Sequence, residues 1–166
     1  MKQGCDCGDE APYERCCAPL HEGRAHADSA ERLMRSRYAA FARGEAHYLC
    51  ETWRGPSAPE LAELKADLEA QRERGERWVK LKVISASGEG LDERGVVQFE
   101  ASLCSAAQLI TLSELSQFER DGARWFYVGG APQLTSRKLK RNESCPCESG
   151  QKWKRCCGAP QRPLGR

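Results

Sequence analysis

The sequence lacks any long apolar segment: no run approaches the ~20 residues that a helix needs to cross a bilayer. The residues that follow Met1 contain no apolar stretch of the kind that forms the core of a secretory signal peptide. Glycine-rich phosphate loops, nucleotide-binding fingerprints and recognisable nucleophile motifs are also missing. These absences predict a cytoplasmic protein without a membrane span, and they favour a non-catalytic role.

Cysteine, in contrast, is abundant, with ten residues in a chain of 166. Eight of them fall into two clusters, and only Cys50 and Cys104 stand apart. Disulfide frameworks belong to small secreted domains, whereas clustered cysteines in a reducing compartment more often bind metal. We therefore expect metal sites, with disulfides as the alternative. Cys50 lies on an apolar helix face and is expected to be inert, and Cys104 ends a predicted strand, where it could be exposed.

The two clusters are copies of one pattern. Residues 5–17 read CDCGDEAPYERCC and residues 145–157 read CPCESGQKWKRCC. In both, one residue separates the first two cysteines, eight residues follow, and two adjacent cysteines end the cluster after an arginine. An aromatic residue also recurs at the same place, Tyr13 in the first copy and Trp153 in the second.

The spacing suits a closed tetrahedral metal site. Structural zinc takes four thiolate or imidazole ligands, whereas catalytic zinc usually keeps one position open. A segment this short cannot bury a core, so the metal must supply its folding energy. We predict two structural zinc ions per chain, with iron as the alternative metal. Arg15 and Arg155 are expected to offset the negative charge of the tetrathiolate centres. The predicted ligands are Cys5, Cys7, Cys16 and Cys17 in one site and Cys145, Cys147, Cys156 and Cys157 in the other.

Residues 145–158 resemble the SEC-C motif, which is found on the tail of the SecA translocation ATPase and on several small bacterial proteins. Residues 5–18 resemble a second copy. The copies depart from the motif at different places, because Glu10 replaces a usual glycine in the first and Glu148 does so in the second. The resemblance implies zinc binding, and it implies docking on a protein partner such as a SecB-like chaperone or the ribosome.

Helical patterns occupy the first half of the chain between the clusters. Residues 28–53 predict two helices separated at Gly44, the first begun by Asp28 or Ser29 as N-cap. Residues 61–75 predict a third helix, with Ser57 and Glu60 as its capping box.

Period-two alternation follows the helical patterns. It predicts strands over residues 79–83, 97–103 and 109–119, and the Asp121-Gly122 pair predicts a two-residue hairpin before a fourth strand. Helices before an antiparallel sheet indicate an α+β fold. The expected buried core consists of Met34, Tyr38, Phe41, Leu49, Trp53, Leu81, Val97, Phe99 and Trp125.

The run Leu33 to Phe41, LMRSRYAAF, together with Thr52-Trp53, resembles the bacterial YchJ family. That family places a domain like nuclear transport factor 2 between two SEC-C motifs. The resemblance implies three N-terminal helices packed on a curved antiparallel sheet, a cone with an internal pocket, and a small zinc module at each end. It divides the chain into modules at residues 1–22 and 140–166 around a domain at residues 27–134. Arg54 stands where the family would lead us to expect histidine.

Charge and pocket residues define three functional hypotheses. Residues 136–166 carry a net charge of +7, although two tetrathiolate zinc sites would bring the whole chain to about −2. The first hypothesis is an adaptor that docks through its zinc modules, the second an enzyme or small-molecule carrier that uses the central pocket, and the third a nucleic-acid binder. Candidate partner contacts are Lys152, Trp153, Lys154 and Arg155, and candidate pocket residues are Arg35, Arg37 and Tyr38.

Overall fold

Four helices precede a five-stranded antiparallel sheet in the computed structural model, which describes residues 4–159. This order confirms the α+β class. Among the described residues, no helix is both long enough and apolar enough to span a membrane. The helices are α1 (Ala18–His21), α2 (Ala30–Arg43), α3 (Ala46–Glu51) and α4 (Leu61–Glu73). The strands are β1 (Arg77–Ala86), β2 (Arg94–Ser105), β3 (Gln108–Asp121), β4 (Arg124–Gly130) and β5 (Gln133–Lys138).

The helix ends show which of the predicted capping residues cap their helices. Ser29 is the N-cap of α2, because its hydroxyl accepts a hydrogen bond from the Arg32 amide at 3.2 Å. Gly44 ends α2 in the left-handed conformation, as only glycine does easily. The capping box predicted for α4 is wrong: Glu60 itself is the N-cap and makes no side-chain hydrogen bond. Ser57 therefore lies too far upstream to cap this helix.

The sheet runs in the order β1-β2-β3-β4, and β5 shares an edge of β3 with β4. β4 pairs with residues 116–121 of β3, and β5 pairs with residues 108–113. The β3–β4 turn lies one residue later than predicted, since Asp121 pairs with Arg124 and the positive φ belongs to Gly122. β5 was not predicted, because all six of its residues are exposed and carry no buried alternation.

The core lies between the helices and one face of the sheet. Of the side chains expected there, Phe41 and Leu81 are only partly buried against the core, and Trp53 is half-buried. These three lie toward its periphery or beside a partly open cavity. The remaining six are buried in one apolar cluster: Met34, Tyr38, Leu49, Val97, Phe99 and Trp125.

Candidate metal centres

The fold brings each predicted set of four cysteines together. In each cluster the four Sγ atoms lie within 4.8 Å of one another, although the second pair of cysteines follows the first only after eight residues. No other group of three or more cysteine, histidine or acidic residues within residues 4–159 has this geometry. The two tetrads are therefore the candidate metal sites of the described chain.

The sulfur separations fit a tetrahedral ion. Zinc–sulfur bonds of ~2.3 Å in a tetrahedron place the sulfurs about 3.8 Å apart. The Sγ atoms of Cys7 and Cys16 are 3.6 Å apart, those of Cys16 and Cys17 are 4.0 Å apart, and those of Cys147 and Cys156 are 3.4 Å apart. These distances are far longer than the ~2.05 Å of a disulfide, and all ten cysteines are free thiols. Each tetrad could hold one zinc or iron ion.

The two modules share their backbone fold as well as their cysteines. Each contains one turn of 3-10 helix immediately before its final cysteine pair, at Tyr13–Arg15 and at Trp153–Arg155. Backbone hydrogen bonds recur at equivalent positions. The Cys5 amide donates to Ala11 O at 2.9 Å as Cys145 donates to Gln151 O at 2.8 Å, and Cys16 donates to Tyr13 O as Cys156 donates to Trp153 O, both at 3.0 Å.

Glu148 departs from the motif without changing the loop. Its φ is 59°, in the left-handed region, and the equivalent Gly8 has φ of 91°. In both copies the amide of this residue donates to the carbonyl oxygen of the first cysteine at 3.0 Å. A side chain in this conformation costs roughly 1–2 kcal/mol. The Glu148 carboxylate contacts the Lys80 ammonium of β1.

Arginines of α2 attach the N-terminal module to the central domain. The four thiols of this module are buried in one cluster with Ala39 of α2. Arg32 donates to Cys16 O at 2.7 Å and lies 3.7 Å from Cys17 Sγ. Further along the helix, Arg35 donates to Cys7 O at 3.1 Å. The module is therefore an integral layer of the fold and not a separate appendage.

The electrostatic partner of the first tetrad is Arg32 and not Arg15. Burial alone lowers the pKa of the Arg32 guanidinium, but the thiolates of Cys17 and its neighbours outweigh burial and raise that pKa. Arg15 is exposed and makes no hydrogen bond or salt bridge with any side chain of the described chain. The signal for Arg32 was present in the sequence, because residues 32, 35, 39 and 43 share one face of α2.

Two further contacts close this interface. Arg43 forms an ion pair with Asp6 at 2.9 Å and lies 3.5 Å above the Tyr13 ring. His21 of α1 accepts a hydrogen bond from the Tyr13 hydroxyl through Nδ1 and donates to Ser36 O through Nε2, both at 2.9 Å. Burial lowers the pKa of His21, which keeps the imidazole neutral for this bridge.

The C-terminal module packs against β1 and β2 through Trp153. Its ring lies in an apolar cluster with Val79, Cys104 and Leu139. A Cβ atom on Gly158 would come within 2.4 Å of this ring, so Gly158 permits the close approach. The possibility that Cys104 is exposed is wrong, because Trp153 and Leu139 cover it, and burial raises the pKa of its thiol to about 11.

Known proteins share this architecture. A family model described as "YchJ, middle NTF2-like domain" matches residues 29–130, which is more than half of the chain. The chain belongs to the YchJ family. A second model, the SEC-C motif, matches residues 141–159 and covers the C-terminal tetrad of this YchJ-family chain. That motif and the two tetrads indicate a metal-binding protein.

Two solved structures are similar to the YchJ-family chain. A SEC-C motif containing protein from Rhodopseudomonas palustris, solved in solution, is 34% identical, with a TM-score of 0.63 over 76% of this chain and 96% of that one. A SEC-C motif containing protein from Psychrobacter arcticus, solved by crystallography, is 28% identical, with a TM-score of 0.59 over 89% of this chain and 85% of that one. Both support the same overall architecture.

The candidate pocket residues of the YchJ-family chain separate in the structure. Arg37 and Tyr38 line a partly open cavity of about 220 Å³ between α2 and the sheet. Arg35 does not line it, because α2 turns this side chain toward Glu31 and the N-terminal module. Arg54, at the position expected to be histidine, forms an ion pair with Asp121 at 3.0 Å and stacks 3.5 Å from the Phe126 ring. Its contacts are structural.

The unequal burial of the two tetrads predicts unequal metal exchange. All four cysteines of the first site are buried, whereas only Cys145 is buried in the second. We expect a chelator to remove the C-terminal metal at least tenfold faster, because solvent and chelator reach its thiolates directly. Release can be followed with a chromogenic chelator, and ¹H–¹⁵N spectra then identify which module changes. A single release rate for both metals would contradict this prediction.

Proposed function

We propose that the chain is a non-catalytic binding protein with one structural zinc ion in each tetrad and a C-terminal module that docks on an acidic protein surface. The observation that carries the metal role is the completeness of the two sites. Four thiolates converge in each, so a tetrahedral ion would have no open position for a substrate or an activated water. Such an ion supports folding and not chemistry.

The metal is tested by elemental analysis of untagged protein purified without added metal. We expect two equivalents of zinc per chain, each held by four thiolates. Iron would give coloured protein, because ferric tetrathiolates absorb visible light and zinc does not. One equivalent or none would contradict the proposal.

The docking role is supported by the difference between the two modules. α2 covers the N-terminal module, whereas Lys152 and Arg155 of the C-terminal module are exposed and Lys154 is half-buried. Neither Lys152 nor Lys154 forms a salt bridge within the described residues. A free basic surface of this kind accelerates encounter with an acidic partner more than it lengthens the life of the complex. The proposed partners are a SecB-like chaperone and the ribosome.

Trp153 takes no part in the proposed contact. Its ring packs inward over Cys104 and against Gly158, so it supports the module and offers no apolar anchor. Trp153→Ala should therefore weaken metal retention and not specifically raise the dissociation rate.

The test compares charge reversals of equal size. Lys152→Glu with Lys154→Glu should slow association with SecB or ribosomes about tenfold at low salt, and less at physiological ionic strength, where the Debye length is ~8 Å. The matched control is Lys65→Glu with Arg72→Glu, which places the same charge change on two exposed positions of α4. Equal slowing by both pairs would indicate a net-charge effect and contradict the proposed surface. Equal affinity for naked RNA and for protein partners would favour the nucleic-acid hypothesis instead.

A further inference from the structure

We propose that the C-terminal tetrad is a site of oxidation by hydrogen peroxide, in which Cys147 and Cys156 form a disulfide and the tetrad loses its metal while the N-terminal tetrad stays intact. This inference rests on the proposed zinc sites and adds a covalent modification that regulates one of them. It is carried by the accessibility of three cysteines, the charge of the cleft beside them, the separation of two sulfurs and the contrast with the N-terminal module.

Three cysteines of the C-terminal tetrad border a surface cleft. Cys147, Cys156 and Cys157 are half-buried and line a cleft of about 580 Å³ between the module and β1. Ser149, an exposed residue of the same cleft, has its Oγ 3.2 Å from Cys156 Sγ. Thiolates are oxidised where they are accessible to the oxidant. Hydrogen peroxide is little larger than water, so a cleft of this size admits it.

The N-terminal tetrad lies in different surroundings. All four of its cysteines are buried, and they pack in one cluster with Ala39 of α2. Arg32 of the same helix donates to Cys16 O at 2.7 Å and so holds the module against the domain. The cysteine spacing of the two tetrads is identical. A difference in their oxidation would therefore come from the packing around them.

The cleft beside the C-terminal tetrad carries free positive charge. Arg77 and Arg155 border it, and neither forms a salt bridge within residues 4–159. The two acidic residues of the cleft, Asp6 and Glu148, are each already held in an ion pair by another basic side chain. Reactive cysteines occur in partially exposed, electropositive surroundings. Positive charge here would stabilise the negative charge that develops on a departing hydroxide.

The sulfur positions favour one disulfide over the others. The Sγ atoms of Cys147 and Cys156 are 3.4 Å apart, and the two residues are nine positions apart in sequence. Cys156 and Cys157 are adjacent, so their Cα atoms are about 3.8 Å apart across a trans peptide, which is shorter than the ~4.4–6.8 Å of an unstrained disulfide. Cys145 is buried and does not border this cleft. The pair that can close with the least distortion is therefore Cys147 and Cys156.

The reaction consumes two thiolates and one hydrogen peroxide. One thiolate of the pair attacks a peroxide oxygen, so that an S–O bond forms, the O–O bond breaks, and the departing hydroxide takes up a proton to become water. The other thiolate then attacks the sulfenic sulfur, so that the S–S bond forms and the S–O bond breaks. The second hydroxide is also protonated to water. In total, two electrons pass from the sulfurs to the peroxide.

The oxidised tetrad cannot retain its metal. Only Cys145 and Cys157 would remain as thiolates, and a closed structural site needs four ligands. Because a module of this kind depends on its metal for folding, Trp153 would lose its packing against Val79 and Leu139. Oxidation would therefore switch off the proposed docking, and reduction with resupply of zinc would restore it.

The experiment treats the reduced, metal-loaded full chain with hydrogen peroxide. Zinc release is followed with a chromogenic chelator, against a parallel sample without peroxide, and disulfides are located by peptide mass spectrometry. We expect peroxide to release one equivalent about tenfold faster than the other, with a Cys147–Cys156 disulfide and the four N-terminal cysteines still reduced. Equal release from both tetrads, a disulfide between other cysteines, or loss of zinc without a disulfide would overturn the proposal.

Two kinds of variant test the details. Cys104→Ala removes the thiol that lies in the same cluster as Cys147 without being a predicted ligand, and it should leave the disulfide unchanged. Loss of the disulfide in this variant would identify Cys104 as the partner and contradict the assigned pair. Arg77→Gln should slow oxidation about two- to fivefold, because its charge acts across a solvent-exposed cleft. Arg94→Gln makes the same change at an exposed position outside the cleft and is the matched control. Equal rates for these two variants would refute the contribution of the cleft charge.

Zinc analysis before the addition of peroxide separates this proposal from the proposed function. Two equivalents at the start, followed by unselective oxidation, would defeat only the oxidation site. Fewer than two equivalents at the start would defeat the proposed function. The disulfide map still decides the pairing of Cys147 with Cys156 in that case, because the thiols can be oxidised and mapped without bound metal.

Discussion

Cys17→Ser is expected to remove one equivalent of zinc and to lower the thermal unfolding midpoint of the whole protein by about 10 °C or more. Structural zinc contributes an apparent ~10–16 kcal/mol in small zinc-finger modules, and Cys17 is fully buried beside Arg32. Loss of this site would leave the half-buried Arg32 guanidinium without the thiolate charge beside it, and it would weaken the packing of the module against Ala39. A fall of 10 °C corresponds to roughly 3–5 kcal/mol for a chain of this size.

Cys157→Ser is the matched variant, because it changes the equivalent cysteine of the C-terminal module. It should also remove one zinc, but it should lower the midpoint by less than about 4 °C. The C-terminal module contacts the domain mainly through the cluster of Val79, Cys104 and Leu139, which is separate from the main core. Calorimetry and zinc analysis on both variants measure the difference. Equal losses of stability would show that the N-terminal module is no more integrated than the C-terminal one.

Gly88→Ala is expected to destabilise the fold by about 3–5 kcal/mol in urea denaturation. Gly88 has φ of 97°, where an alanine side chain is strained by roughly 1–2 kcal/mol. An added Cβ would also lie 2.5 Å from the Cα of Gly95 and 3.2 Å from the Cβ of Ala30. Overpacking of this kind adds about 1–3 kcal/mol. It would also displace the Gly88 carbonyl, which accepts a hydrogen bond from the Ala30 amide at the start of α2.

Gly90 supplies the control for backbone strain. It lies in the same connection with φ of 57°, and no atom lies within 4 Å of an added Cβ. Gly90→Ala should therefore lower the free energy of unfolding only by the cost of a side chain in the left-handed conformation, roughly 1–2 kcal/mol. If the two variants lose the same stability, the close approach between the start of α2 and the β1–β2 connection does not contribute, and the packing described for Gly88 is wrong.

Local patterns in the sequence predicted most of the regular structure, and the errors have physical causes. α2 follows from its apolar stripe and from Gly44, which terminates it. β5 escaped prediction because its pairing with β3 buries none of its side chains, so no alternation marks it. The turn after β3 lies one residue later than predicted, because Asp121 still pairs with Arg124 and the turn begins at Gly122.

Residue type alone did not predict which arginines contact the cysteine tetrads or the cavity. Arg15 and Arg155 stand next to the cysteines in sequence, but Arg32 of α2 reaches the thiolates in space. Arg35 and Arg37 are only two residues apart, and the helix directs one to the N-terminal module and the other into the cavity. Helical periodicity could have separated them, whereas the partner of each depended on how the module packs against α2.

The two candidate metal-binding tetrads follow from the sequence alone, because each set lies within 13 consecutive residues and the spacing can close a tetrahedral site. The sequence also determined the order of helices and strands, because periodicity is a local property. Three features became visible in the folded structure: α2 buries the first module and leaves the second more accessible, Cys104 is covered, and a cavity remains among the aromatic side chains. These features depend on contacts between residues far apart in the chain, and packing a core leaves or fills space according to side-chain shapes that no local pattern records.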